Sequence, residues 1–314
     1  MKSDRITVED LRRSVISVPP LARDAALRLD REANRRIVRH LESGGVTTLM
    51  YGGNANLYNM AVSETAPLAE MLSEIAGRDS WVVPSVGPDY GKALDQLAIL
   101  KAFDVPTVMV LPAQSATSPK GVATGIRRLA DAFGKPLIAY AKFEDYADPR
   151  DLAALLADGS VCAVKYAVVR DDPSEDRFLA ALVEAAGPDR IISGIGERPV
   201  IDHFERFGLR AFTSGSVCVA PALSTAILRA LTSGDGAEAA RLRDAFMPLE
   251  DLRDAHSPMR VLHEAVRLAG IAETGPMLPF FHSIEEAELL AKIERAAKAL
   301  AAADPAPEAR AAAE

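Results

Sequence analysis

The chain has 314 residues, 49% of them hydrophobic and 25% charged, the balance of a folded globular protein and not of a disordered one. Lys and Arg number 36 against 44 Asp and Glu, and the resulting formal charge of −8 argues against a fold-wide basic surface for nucleic acid or anionic lipid. Two cysteines, Cys162 and Cys218, are too few for a disulfide scaffold and point to a reducing compartment.

From the N-terminus, residues 1–14 are charged and lack the apolar centre of a secretory signal. No segment reaches the roughly 20 consecutive apolar residues that cross a bilayer, so a cytoplasmic location without a membrane partner is expected. Short apolar runs then recur at 14–18, 46–51, 80–85, 106–111, 136–140, 161–166, 190–193 and 211–214, the first of them the weakest. Between them the segments 31–43, 63–76, 91–103, 121–133, 149–157, 174–186 and 199–207 carry apolar residues three and four apart, as at Leu94, Leu97 and Ala98. Strands alternating with helices predict a parallel sheet, because parallel neighbours need crossover connections. Eight such units predict a closed (β/α)8 TIM barrel, with an open doubly wound sheet as the rival.

After Pro221 the pattern is helical throughout, at 223–232, 237–255, 259–268 and 284–302, which is more helix than a barrel needs. The reading is therefore a barrel core over 1–220 with a short N-terminal lead-in. The last barrel helix and a C-terminal helical extension packed on the barrel follow over 221–302. The Ala-, Pro- and charge-rich segment 303–314 has little to bury and reads as a disordered tail.

In a barrel, chemistry gathers at the C-terminal ends of the strands. Lys165 lies inside the apolar run Val161–Tyr166. A buried, unpaired ammonium is costly and its pKa falls, leaving a free amine that can form an imine with a ketone. The competing reading has the lysine snorkelling out or pairing with a carboxylate at the barrel mouth. Tyr140 ends the preceding run and could pass protons beside the lysine, although strand-end tyrosines are commonly core or rim residues. The stretch Gly52-Gly53-Asn54-Ala55-Asn56 lets backbone approach a ligand and aim N–H groups at an anion, or is simply a turn. Gly194-Ile195-Gly196 lacks the third glycine of a dinucleotide loop and has Pro199 instead. The five histidines form neither HxH nor HExxH, so no metal is expected.

In this order and spacing, the residues resemble the dihydrodipicolinate synthase/N-acetylneuraminate lyase family of pyruvate-type class I aldolases over 15–281. The features are the Gly-rich loop after Tyr51, Val83-Pro84-Ser85-Val86-Gly87, Leu111-Pro112, Tyr140 with Lys165 following it, Ser193-Gly194, Thr213-Ser214 and Ala220-Pro221. The resemblance implies a (β/α)8 barrel assembled as a dimer or tetramer, without a cofactor, acting on a small 2-keto acid. It makes Lys165 the Schiff-base lysine and Tyr140 the catalytic phenol. Gly53 and Asn54 would hold the keto-acid carboxylate, with Thr213, Gly194, Asn56 and Gln114 as further substrate-side positions. The chain also departs from the family pattern. The loop has lost both threonine hydroxyls, Gln114 stands where lysine-pathway synthases place a second tyrosine, and Asp145 stands where they place a carboxylate-gripping arginine. Those changes point away from true dihydrodipicolinate synthesis and towards a Schiff-base aldolase or dehydratase of hydroxylated, sugar-derived keto acids. True condensation of pyruvate with an aldehyde, and a catalytically silent keto-acid-binding barrel, are the alternatives. Lys142 could meet the far end of the substrate, or Lys142 and Asp145 could be solvated rim residues paired with one another or with Glu144.

Overall fold

A computed structural model describes residues 1–305. Strand β1 (Ile16–Ser17) pairs in parallel with β2 (Thr48–Tyr51). The order runs on through β3 (Trp81–Val86), β4 (Met109–Val110), β5 (Leu137–Ala141), β6 (Val161–Tyr166), β7 (Ile191–Ser193) and β8 (Ala211–Ser214). Strand β8 returns to β1 and closes the barrel. The strands are buried on both sides, by barrel-filling side chains within and by helices without, so they read as continuous apolar runs instead of alternating ones.

Helix starts are written into the sequence by their caps. Asp30 accepts from the backbone N–H of Ala33 to open Arg31–Ser43. Ser118 and Asp148 cap Pro119–Phe133 and Pro149–Ala157, each with a proline in the first turn where its missing N–H costs nothing. Gly134, at φ 77°, ends the first of these in the left-handed region. A short helix, Val8–Arg13, was not expected from the charged N-terminus; Thr7 and Asp10 form a capping box that starts it.

Beyond β8 the helices are Pro221–Ser233, Gly236–Arg243, Met247–Ala255, Pro258–Leu268 and Ala287–Ala303. The single helix expected over 237–255 is two helices. Pro248 has no N–H to donate, and its ring would strike the carbonyl of Asp244, so the chain turns there. The turn aims Glu250 and Arg253 at the barrel mouth. Ala287–Ala303 packs on Pro258–Leu268 through Ile293, Ala296, Ala297 and Leu300, a stripe at helical spacing. It runs to Ala303, so of the tail expected over 303–314 the part after 305 lies outside the described residues. No helix among the described residues is long and apolar enough to cross a membrane.

Candidate active site

Strands β5 and β6 pair with Tyr140 opposite Lys165, which sends both side chains to the same side of the sheet at the strands' C-terminal ends. The Lys165 Nζ lies 4.4 Å from the centroid of the Tyr140 ring. Lys165 is only 3% exposed, and among the described residues no carboxylate pairs with it. Burial, reinforced by the positive charges of Lys142 and Arg253, brings its pKa down to about 7. The aromatic face attracts the ammonium form, but desolvation is the larger effect. The amine is thereby poised between its two states near neutral pH. Burial pushes the Tyr140 phenol up to about 12, so it stands protonated, ready to donate.

Gly194 makes room for this lysine. A Cβ there would lie 2.9 Å from Lys165 Cγ and 2.6 Å from the Tyr166 carbonyl oxygen. Next along β6, Tyr166 donates to Asp176, which also caps the helix Arg177–Ala186 and meets Arg170. Strand β6 is thus pinned from behind while Lys165 faces the cavity.

The cavity around Lys165 measures about 170 Å³ and is lined by Gly53, Asn54, Tyr140, Lys142, Gly194 and Thr213, among others. A larger groove of about 780 Å³, lined by Tyr90, Thr117 and Lys120, runs outside it and contains no part of the lysine–phenol pair. Chemistry, and not size, picks the smaller one. Asn54 donates from Nδ2 to the Val18 carbonyl at 2.9 Å, bracing the loop after β2 against the end of β1. Lys142 lies on the cavity wall without a carboxylate partner among the described residues, and burial lowers its pKa.

Three expected residues sit elsewhere. Asn56 takes φ 54° and spends its side chain on the Leu278 carbonyl and on Asn59, as a loop brace outside the cavity. Gln114 is exposed in an outer groove beside Phe143 and Asp145. Asp145 is exposed there too, so it cannot repel a substrate carboxylate from the lysine's cavity. Nor do Lys142 and Asp145 pair with Glu144, whose carboxylate accepts instead from Arg170.

Other groups at the cavity were missed in the sequence. Tyr58, from the turn that follows the glycine-rich loop, adds a second phenol to the wall; burial, then Tyr140 and Tyr146, raise its pKa. From Met247–Ala255 come Glu250 and Arg253, both lining the cavity and both buried. Arg253 Nη1 donates to Glu250 Oε1 at 2.6 Å, and Ser216 Oγ donates to the same carboxylate. Behind them Glu197 accepts from Ser214 at 2.8 Å and Ser224 at 2.7 Å; burial and then the neighbouring Glu250 raise its pKa above the usual carboxylate range. The only signal of this cluster in the sequence was two charged residues, Glu250 and Arg253, on the same stripe as buried Leu249. Among the described residues no three His, Cys, Asp or Glu side chains gather as metal ligands.

Residues 13–299 match the model of the dihydrodipicolinate synthetase family. A protein of Streptomyces avermitilis named "Probable 5-dehydro-4-deoxyglucarate dehydratase 1" is 27% identical over 277 residues, covering 84% of this chain and 85% of that one. Its counterpart numbered 2 in Streptomyces coelicolor is 24% identical over 251 residues, covering 78% and 76%. Among solved structures, a dihydrodipicolinate synthase from Bacillus clausii superposes with a TM-score of 0.82 at 21% identity, covering 93% of this chain and 98% of that one.

Proposed function

The chain belongs to the dihydrodipicolinate synthetase family, and from that premise we propose that this class I lyase forms an imine between Lys165 and a sugar-derived 2-keto acid and then removes water from it. The observation that carries the reading is the buried lysine, with no carboxylate partner among the described residues and a pKa of about 7, set against the Tyr140 phenol.

The Nζ lone pair attacks the ketone carbon, C2. The carbinolamine hydroxyl leaves as water, with Tyr140 supplying the proton, and an iminium remains. The iminium acidifies C3, and the Tyr140 phenolate takes that proton to give an enamine. The enamine electrons expel the hydroxyl on C4, which departs as water with the proton that Tyr140 returns, and the phenolate recovers its proton from the water that hydrolyses the iminium. Hydrolysis of the remaining iminium returns the free amine and an unsaturated keto acid. The balance is one hydroxylated keto acid in, one unsaturated keto acid and one water out. Backbone N–H groups of Gly53 and Asn54 hold the keto-acid carboxylate, and Thr213 lines the same cavity. Neither metal nor organic cofactor enters the scheme. Aldol cleavage would share the imine but break C3–C4 instead; the names of the two Streptomyces relatives favour loss of water. Assembly as a dimer or tetramer belongs to the same proposal.

Borohydride reduction in the presence of pyruvate and longer 2-keto acids, read by intact mass, tests the imine. An adduct on the wild type and none on Lys165→Ala is expected; an adduct on the variant, or none on the wild type, refutes the assignment. Products from 3-deoxy-2-keto sugar acids, identified by NMR, then separate water loss from carbon–carbon cleavage.

A further inference from the structure

Three phenols gather where the loop after β2 meets β5 and the segment that follows it. Tyr140 and Tyr146 are buried and Tyr58 is half-buried, yet among the described residues no hydroxyl of the three has a hydrogen-bond partner. Buried phenols ordinarily satisfy their O–H groups, so three uncommitted ones side by side point to function. They are neighbours, since after burial it is Tyr140 and then Tyr146 that raise the pKa of Tyr58. Tyr58 and Tyr140 line the cavity of Lys165, whereas Tyr146 lines the outer grooves. The turn Leu57–Asn59 that carries Tyr58 is fixed by contacts that leave its hydroxyl alone. Lys92 Nζ donates to the Tyr58 carbonyl at 2.8 Å and to that of Leu57 at 3.4 Å. Asn59 Nδ2 donates to Asn56 Oδ1 at 2.8 Å, and Asn56 Nδ2 to the Leu278 carbonyl at 3.3 Å. Leu57 is buried in the core beneath. The backbone is thus braced on both sides of a side chain that faces the cavity.

The reaction makes a demand that this phenol can meet. Tyr140 becomes a phenolate each time it gives up its proton, and burial makes that anion costly by pushing the phenol up to about 12. Lys165 is by then bonded to the substrate. Lys142 lends positive charge to the wall, but a desolvated phenolate oxygen also needs hydrogen-bond donors. We propose that Tyr58 is a positioning residue of the reaction, its O–H donating to the Tyr140 oxygen whenever that oxygen is charged and steadying it until it takes the C3 proton. The inference rests on the Schiff-base reading and adds a residue to it. Tyr58 keeps its own proton throughout, so no proton is gained or lost beyond those already counted. In the resting protein both phenols are neutral and do not bond one another; the bond forms as charge develops.

The test follows the methyl protons of pyruvate in heavy water by proton NMR, alongside borohydride trapping read by intact mass after equilibration. Methyl exchange reports the enamine, because a deuteron from the solvent-exchanged phenol replaces the proton taken from C3. Trapping over a series of pyruvate concentrations reports the imine alone. Tyr58→Phe deletes a single oxygen and is expected to slow methyl exchange roughly thirtyfold, the worth of one hydrogen bond to a charged oxygen. The concentration for half-maximal trapping is expected to stay within about twofold of the wild type, because Tyr58 acts after the substrate is bound. A packing role would move both readouts together. Unchanged exchange in Tyr58→Phe therefore overturns the assignment, and so does a half-maximal concentration that rises in step with the loss of exchange. An adduct on the wild type without methyl exchange overturns it too, since Tyr140 then takes no proton from C3. Absence of any adduct on the wild type refutes the Schiff-base reading itself, which keeps the two failures apart.

Discussion

Replacing Lys165 with methionine removes the amine and also a source of instability. Burial, with help from Lys142 and Arg253, lowers the lysine's pKa from 10.5 to about 7 in the folded chain. Between about pH 7 and 10.5 the unfolded chain therefore holds this proton while the folded one has lost it, and stability must rise with pH across that window. A displacement of this size corresponds to about 5 kcal/mol of penalty carried by the wild type below pH 7, fading to nothing above the unfolded value. Methionine fills nearly the same volume without the charge. Chemical denaturation of both proteins at pH 6 and pH 9.5 is the assay. The variant is expected to be the more stable at pH 6, and its advantage is expected to shrink by about 3 kcal/mol at pH 9.5. Parallel pH–stability curves for the two proteins, or a variant less stable at pH 6, would refute the claim that Lys165 is held against its own protonation.

The rate of borohydride trapping with pyruvate should climb with pH around a midpoint near 7, since only the free amine attacks and about half of it is free at that pH, against roughly one part in 3,000 for an ordinary lysine. In Lys142→Met a like charge is gone, so the midpoint should move up and trapping at pH 7 should slow; a midpoint that stays put would mean Lys142 does not act on the amine. Gly194→Ala puts a methyl 2.9 Å from Lys165 Cγ and 2.6 Å from a backbone oxygen. Circular dichroism should show the barrel retained with a loss of about 1–3 kcal/mol in stability, while trapping falls by about a hundredfold; wild-type trapping would show that Gly194 does not position the lysine.

The barrel was legible because parallel strands covered on both faces leave unbroken apolar runs, and because Asp30, Ser118-Pro119 and Asp148-Pro149 mark where the intervening helices begin. Lys165 and Tyr140 stood out for a related reason: a cation in an apolar strand is an anomaly, and paired strands bring equivalent positions side by side. Composition served less well in loops. Asn54 and Asn56 look alike in the sequence, but the left-handed turn at Asn56 commits its amide to Leu278, whereas Asn54 stays at the cavity wall. Arg253 and Glu250 were hidden because a helical period cannot say whether a polar residue on a buried stripe meets solvent, a partner or a cavity. That depends on the turn before Pro248, which breaks the continuous helix that the periodicity over 237–255 predicts.

The Arg253–Glu250 pair has a further effect through its seat on Ser216, in the loop just after β8. The helices after Gly236 meet the barrel rim through charged contacts at the lip of the cavity, Arg253 and Glu250 on Ser216 and Arg198 on Asp251 and Asp254, so peeling those helices away would also strip the lip of its guanidinium. Local opening and ligand occupancy then draw on a single equilibrium. An anion lodged at the lip slows amide exchange in residues 247–268, some distance from the strand that carries the amine, and a chain cut before Met247 keeps its lysine while losing Glu250, Arg253 and Asp254 from the cavity wall.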